Sequence, residues 1–344
     1  MKNTNKIKKT VTNLIIFILL IILTFYLILK DQDVSQIFSI VTSVKKEFIL
    51  VAIFAMCVYI LCEAINIRRI LNELGEHIKL VSAIKYTLIG FFFSAITPAA
   101  SGGQPMEIYY MHKDNITVAN STLALLMHLC SFQIVSLTLG ITSAFIHFDV
   151  LKSGLIYLFI LGIFLNSTAL GLLIIAIFSK KLSEGLIKFS VKVLKFFRIR
   201  DVEGKKEKLE KELASYHTSA IYIKEHKSLM IKSILTTAVQ LLVFYTIPYW
   251  VYLAFGLNSY NIWQILTLQA VLYATVSGIP SPGAVGVSEG GFLGIFRNAF
   301  PETIISSAML LSRGVNFYLL IIISSVIVII NTFKDKKQKG EEVQ

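Results

Sequence analysis

Cysteine, proline, tryptophan and charge are all scarce in this chain. The three cysteines, at 57, 62 and 130, all sit inside apolar runs. That is too little for a disulfide framework or a thiolate metal site, and they read as small core residues. Charged residues make up only 16% of 344 positions, against about 25% in an ordinary soluble domain, which argues against a soluble globular fold. The sequence contains no G-x-S-x-G, HExxH, Walker A or Cys/His zinc spacing. It therefore shows no hydrolase or metal signature, and no cofactor is expected. The net charge of +12 would suit nucleic acid, but the basic segments lack interleaved stacking aromatics and any readable motif.

What the chain has instead is apolar length. Hydrophobic residues reach 55% and the mean hydropathy is +0.70, so the bilayer is the expected solvent. The fold class is all-α, a polytopic membrane protein. Full spans are expected at 11–29, 48–66, 119–147, 152–178, 231–255 and 303–331, each long enough with its flanks for the roughly 20 residues that cross about 30 Å of hydrocarbon. No small-residue cleavage site follows Leu29, and Lys30-Asp31-Gln32-Asp33 reads as the outer end of a retained helix rather than of a secretory signal. Lysine and arginine cluster before the first run, after the second, across 180–227 and at Lys334–Lys339. By the positive-inside rule both termini and the central block are cytoplasmic, in a plasma-membrane setting. Residues 34–44 have helical apolar spacing and are either an interfacial helix or a loop. In the central block, 179–230, Leu182, Leu186, Phe189, Val193 and Phe196 among lysines read either as an amphipathic helix on the anionic leaflet or as a charged linker.

Two stretches, 84–112 and 262–300, break near their middles at proline and glycine. A continuous lipid-facing helix does not tolerate this, because freed backbone groups in hydrocarbon cost about several kcal/mol each. They are expected to be re-entrant pairs of half-helices. Pro98 and Pro280 lie 182 positions apart, as do Glu107 and Glu289. With opposed topology, this register suggests an inverted repeat: repeat A at about 48–147 and repeat B at about 231–331, within a single transmembrane domain, 1–333, followed by a cytoplasmic tail, 334–344.

The breaks carry the candidate site. In the first, Pro98, Ser101, Gly102, Gly103, Gln104 and Pro105 lead into Glu107 and Tyr110; in the second, Pro280, Pro282, Gly283 and Gly286 lead into Glu289. Proline suits the first turn of a half-helix, and glycines let backbone N–H groups approach a ligand at a helix start, where the dipole favours an anion. Ionisable residues at membrane depth are expensive and mark function by default. Two readings of Glu107 and Glu289 stay open: they line a site, or each caps its half-helix or pairs with a buried arginine. Arg313, with Asn316 one turn on, is the leading partner, and the alternative for it is a lipid phosphate met through its bidentate fork. Tyr109, Tyr110 and His112 fit a headgroup contact or an interfacial aromatic belt equally well. Glu63, Asn66, His128, Gln133, Asn166, Gln240 and Gln269 are expected mainly to bond between helices.

At these breaks the sequence resembles the flippase-like transmembrane family found as the N-terminal half of phosphatidylglycerol lysyltransferases, also called the lysylphosphatidylglycerol synthase transmembrane region. The residues concerned are Thr97-Pro98, Ser101-Gly102-Gly103-Gln104-Pro105, Glu107, Tyr109-Tyr110-Met111, Pro280-Ser281-Pro282-Gly283, Gly286-Val287, Glu289, Arg313 and Tyr318. The similarity spans about 10–332. Members that make lysyl-lipid carry a soluble aminoacyl-transferase domain after the membrane part, which is not expected in the few residues after 330. The resemblance therefore implies a translocator of phosphatidylglycerol, lysylphosphatidylglycerol or another lipid-linked headgroup. Its partners would be anionic or aminoacylated phospholipid, glycolipid or polyprenyl-linked lipid, with a homo-oligomer or a partner lipid synthase left open. Two alternatives remain: lysyl transfer to phosphatidylglycerol with cationic-peptide resistance, and a scaffold presenting lipid to a synthase.

Overall fold

Every regular element among the described residues is a helix. The computed structural model describes residues 39, 42–97, 100–146, 148, 151, 155–178, 214, 216–279 and 281–341. The expected span 11–29, most of 34–44, the amphipathic run from Leu182 to Phe196, and the prolines at 98 and 280 lie outside them.

Chain order gives α1 (Lys46–Glu73), α2 (Leu80–Ala95), α3 (Gly103–Lys113), α4 (Val118–Ile146), α5 (Ile156–Phe178), α6 (216–225), α7 (Lys227–Tyr245), α8 (Ile247–Ala254), α9 (Ile262–Val276), α10 (Val287–Ile295), α11 (Glu302–Arg313) and α12 (Leu319–Glu341). Five continuous helical stretches are long and apolar enough to cross a membrane: α1, α4, α5, α7 with α8, and α11 with α12. This is a multi-pass membrane protein. The arms α2 and α9 are apolar but short, as expected of half-helices.

Local chemistry sets the helix ends. The chain leaves α1 at Gly75 (φ +86°), where Glu76 N–H returns to Leu71 C=O at 2.9 Å; only glycine takes that left-handed turn without strain. Helix α9 opens on a reciprocal cap, Gln264 N–H to Asn261 Oδ1 at 3.0 Å and Asn261 N–H to Gln264 Oε1 at 2.9 Å. Two of the expected spans are jointed. Between α7 and α8 the chain bends at Thr246, just before Pro248, whose missing N–H interrupts the ladder. Between α11 and α12 a π-helical turn, Gly314–Tyr318, follows Arg313 directly.

Helix α4 is central, packing against α1, α3, α5, α7 and α9. Helix α5 is peripheral, with Tyr157, Ile160, Phe164 and Leu172 exposed on a face fit for lipid. Helix α9 is clamped between them by small residues. A Cβ on Gly140 would come 2.5 Å from Ala274 Cβ, and one on Gly162 would come 2.3 Å from Ala274 C=O. Such close backbone approach is how helices associate where water supplies no driving force.

Helix starts in 46–146 recur in 227–341, the two halves of the described chain, at a near-constant spacing. Leu80 and Ile262, which open α2 and α9, lie 182 positions apart; the starts of α1 and α7 lie 181 apart, those of α3 and α10 184, and those of α4 and α11 184. The halves also interleave: α1 packs on α7, α2 packs on α12, and α9 packs on α4. Each broken pair thus rests its first arm against the last long span of the other half.

The described end of the central block packs one face onto the helical bundle. Helix α6 buries Tyr216, Ala220 and Ile223 against a cluster containing Ile70, Leu71 and Leu123, and Tyr216 O–H donates to Ala176 C=O at 2.9 Å.

Candidate functional site

In the first break the chain turns through Ala100 (φ +53°) and restarts as α3 at Gly103. Thr97 closes the turn, its Oγ1 accepting from Gly102 N–H at 2.9 Å and donating to Phe93 C=O at 2.6 Å. A Cβ on Gly103 would fall 2.0 Å from Ser94 Oγ, and one on Gly90 would fall 1.9 Å from Glu107 Oε1. Glycine at both positions lets α2 and α3 lie against each other with the Glu107 side chain against α2. Glu107 is buried, and its Oε2 has no hydrogen-bond partner.

The second break is held differently. It turns through Gly283 (φ +59°), Ala284 (φ +53°) and Gly286 (φ +86°). A non-glycine residue in the left-handed region costs about 1–3 kcal/mol and persists only where surroundings over-determine it. Here they do. Glu289 Oε2 accepts from Gly286 N–H at 2.8 Å, and Oε1 accepts from Arg313 Nε at 2.8 Å and Tyr318 O–H at 3.4 Å. Arg313 also donates through Nη2 to Gly283 C=O at 3.0 Å and stacks 4.1 Å from the Phe317 ring centroid. The guanidinium fork thus bridges α10, the turn and the π-helical joint.

Between the breaks lies a cavity of about 540 Å³. Its wall takes Ser94 and Ala100 from the first break, Ser281, Gly283 and Ser288 from the second, and Arg313 and Asn316 from the α11–α12 joint. Gln133 and Asn166 complete its polar side. Gln133 Nε2 donates to Asn166 Oδ1 at 2.8 Å, and Asn166 Nδ2 donates to Ser277 Oγ at 3.0 Å, tying α4 and α5 to the second break. Ser281 Oγ and Asn316 Oδ1 are buried without hydrogen-bond partners. Apolar residues such as Met56, Phe91, Leu165 and Leu272 face them. A cavity with Arg313 as the one cation among its described lining residues, unpartnered polar atoms and an apolar wall is chemically suited to an anionic amphiphile.

The predicted site residues divide. Gly283 and Arg313 line this cavity, while Gln104 and Glu107 line a smaller neighbour. Glu289 lines neither and acts on the large cavity through Arg313. Ser101 and Pro105 are exposed, Gly103 is buried in the α2–α3 contact, and Tyr110 belongs to the apolar core with Met111 and Leu123. Gly102 and Gly286 are the N-caps of α3 and α10, their N–H groups taken by Thr97 and Glu289. Pro282 falls within the 3₁₀ turn between the arms. Interhelical bonding holds for Asn66 (to Thr237 at 3.0 Å), Gln133, Asn166 and Gln240. Tyr59, Ser94 and Tyr273, which line both cavities, were not singled out from sequence. Their signal was helical spacing: Tyr59 precedes Glu63, and Tyr273 follows Gln269, by one turn.

Comparison with known proteins adds two findings. The model of the family described as "Lysylphosphatidylglycerol synthase TM region" matches residues 12–324. A protein of Archaeoglobus fulgidus named "UPF0104 membrane protein" is 21% identical over 332 residues, covering 92% of this chain and 96% of that protein.

Proposed function

Because the chain belongs to the lysylphosphatidylglycerol synthase transmembrane-region family, we propose that it is a lipid translocator, carrying the headgroup of an anionic or lipid-linked amphiphile between leaflets of the plasma membrane. The observation that carries this reading is the cavity of about 540 Å³ shared by the two broken helix pairs, with Arg313 on its wall. A headgroup crossing hydrocarbon needs a polar path beside an apolar groove for its tails, and interrupted helices meeting from opposite halves supply one. Arg313 offers the phosphate a planar donor whose remaining N–H groups are not all committed to Glu289 and Gly283. Element spacing near 182 between the halves supports a repeat, and the placement of lysine and arginine along the chain favours an inverted one with both termini cytoplasmic. Alternating access would then be a rocking of one half against the other about the cavity, with the jointed spans as hinges.

The test is transbilayer movement of labelled lipids in proteoliposomes. Phosphatidylglycerol, aminoacylated phosphatidylglycerol, a glycolipid and a polyprenyl phosphate form the panel. Movement of at least one above empty vesicles, reduced by Arg313→Ala, is expected; no movement of any would overturn the proposal. Lysyl transfer to phosphatidylglycerol is the competing activity. It predicts new lysyl-lipid by mass spectrometry when this chain alone is expressed in a host lacking aminoacyl-lipids.

A further inference from the structure

The smaller cavity, about 260 Å³, plays no part in the path just described. Its chemistry is the reverse of its neighbour's. Glu63 from α1, Glu107 from α3 and His128 from α4 line it, with the phenols of Tyr59 and Tyr273 from α1 and α9, and no lysine or arginine is among its described lining residues. From α7, Gln240 Nε2 donates to Glu63 Oε2 at 3.2 Å, and from α2, Thr87 faces the space. His128 Nε2 stands 3.9 Å from Glu63 Oε2. Three polar atoms on this wall are buried without a hydrogen-bond partner: Glu107 Oε2, His128 Nδ1 and Thr87 Oγ1. Glu107 and His128 are each 5% exposed and Thr87 is 1% exposed.

Two carboxylates at membrane depth, with no cationic side chain facing them, are costly if both are ionised. Each uncompensated buried charge costs several kcal/mol even after relaxation. The chamber must therefore take up positive charge from outside its own wall. It is small and equipped with an imidazole beside one carboxylate, an arrangement that suits protons passing between carboxyl and imidazole.

The other half shows that this is a built difference. Glu289, 182 positions after Glu107, is neutralised by Arg313 at 2.8 Å. By the spacing of their own helices, 184 positions back from Arg313 is Leu129, 181 positions forward from Glu63 is Phe244, and 184 positions forward from His128 is Ser312. One half holds its carboxylate with a fixed guanidinium. The other replaces the guanidinium with titratable groups.

We propose that Glu63, Glu107 and His128 form a proton-binding site, and that its loading is linked to occupancy of the neighbouring cavity. Tyr59, Phe91, Ser94 and Tyr273 line both spaces, so a change of charge in one is felt across a single layer of side chains in the other. The linkage rests on the headgroup reading above; the proton site does not.

Two measurements separate these parts. The first is pH-difference infrared spectroscopy of the purified full chain in nanodiscs, reading the C=O band of water-shielded carboxylic acids between about pH 5 and pH 8. A titrating band is expected that loses one component in Glu107→Gln and another in Glu63→Gln, and whose midpoint moves in His128→Gln. A titrating band unaltered in all three variants overturns the proton site, as does a band abolished by sodium ions at constant pH, which would mark a metal-cation site instead. Glu63→Gln and His128→Gln keep the test decisive if Glu107→Gln fails to fold. The second is movement of nitrobenzoxadiazole-labelled phosphatidylglycerol in proteoliposomes at varied pH. The linkage predicts a rate change of about fivefold or more across this range, lost in Glu107→Gln. Movement that ignores pH while the band titrates overturns the linkage alone, and a titrating band with no movement of this lipid or of any other in the panel above overturns the linkage together with the headgroup reading.

Discussion

Replacing Arg313 with alanine removes the group that closes the second break. Glu289 is 1% exposed and Arg313 12%, so solvent screens the pair little, and the small values measured for surface ion pairs do not apply. The substitution leaves Glu289 Oε1 with only the 3.4 Å contact from Tyr318, leaves Gly283 C=O without its donor, and removes the cation from the Phe317 ring. Removing one partner of a buried pair costs about 3–5 kcal/mol, because the other is left uncompensated. Glu289→Gln should cost a similar amount, although its amide oxygen still accepts from Gly286 N–H. The double variant Glu289→Gln/Arg313→Ala carries neither charge, so its loss should fall short of the sum of the single losses by about 2 kcal/mol or more. Unfolding free energies from denaturant titration in mixed micelles measure all three. Losses that add within about 0.5 kcal/mol, or an Arg313→Ala loss below about 1 kcal/mol, would refute the pair as the clamp of this break.

Gly283→Ala meets both a left-handed φ of +59° and a Phe317 ring atom 2.2 Å from the new Cβ; it should cost at least about 1–2 kcal/mol in the same titration, and an unchanged midpoint would refute the strain. Asn166→Ala removes the bonds to Gln133 and Ser277 and should cost about 1 kcal/mol, the usual scale for interhelical hydrogen bonds in membranes, read by the same method. Glu76, in the loop after α1, is a pH-dependent clip. Burial would raise its pKa, but hydrogen bonds from Thr117 Oγ1 and N–H and from Asn120 Nδ2 outweigh burial and hold it below the usual carboxylate range. A depressed folded pKa gives stability that is complete above the unfolded value of about 4.3 and is lost as pH falls through the folded pKa. Thermal unfolding should therefore show Glu76→Gln costing about 1 kcal/mol at neutral pH, discounted for partial exposure, and little in acid. A cost independent of pH would contradict the clip.

The five apolar spans among the described residues and the two breaks were legible because each leaves a one-dimensional mark: apolar length for the spans, and Pro98, Gly102, Gly103, Pro280 and Gly283 for the interruptions. That Arg313 would meet a carboxylate was legible too, since a lone arginine in an apolar run needs an acid, but not which of Glu107 and Glu289 it would be. The joints were harder. Pro248 near the first turn of α8 reads equally as a tolerated helix start, and the π-helical turn after Arg313 has no composition cue beyond Gly314. Harder still was the division of labour between the two carboxylates. Glu107 and Glu289 look equivalent in sequence, and what separates them is which side chains 24 to 44 residues away fold against them: Arg313 against Glu289, Glu63 near Glu107. Docking of α6 through Tyr216 and Ile223 was masked by the lysines around it.

A plugged cavity tests headgroup passage most directly. With Cys57, Cys62 and Cys130 replaced, a cysteine is placed at Ala169, on the wall of the large cavity, or at Tyr157, 79% exposed on the lipid face of α5, and each is labelled with a bulky maleimide. Labelled-lipid movement in proteoliposomes should fall to that of empty vesicles for the Ala169→Cys adduct and persist for the Tyr157→Cys adduct. Undiminished movement with the cavity filled would contradict a headgroup path between the two breaks.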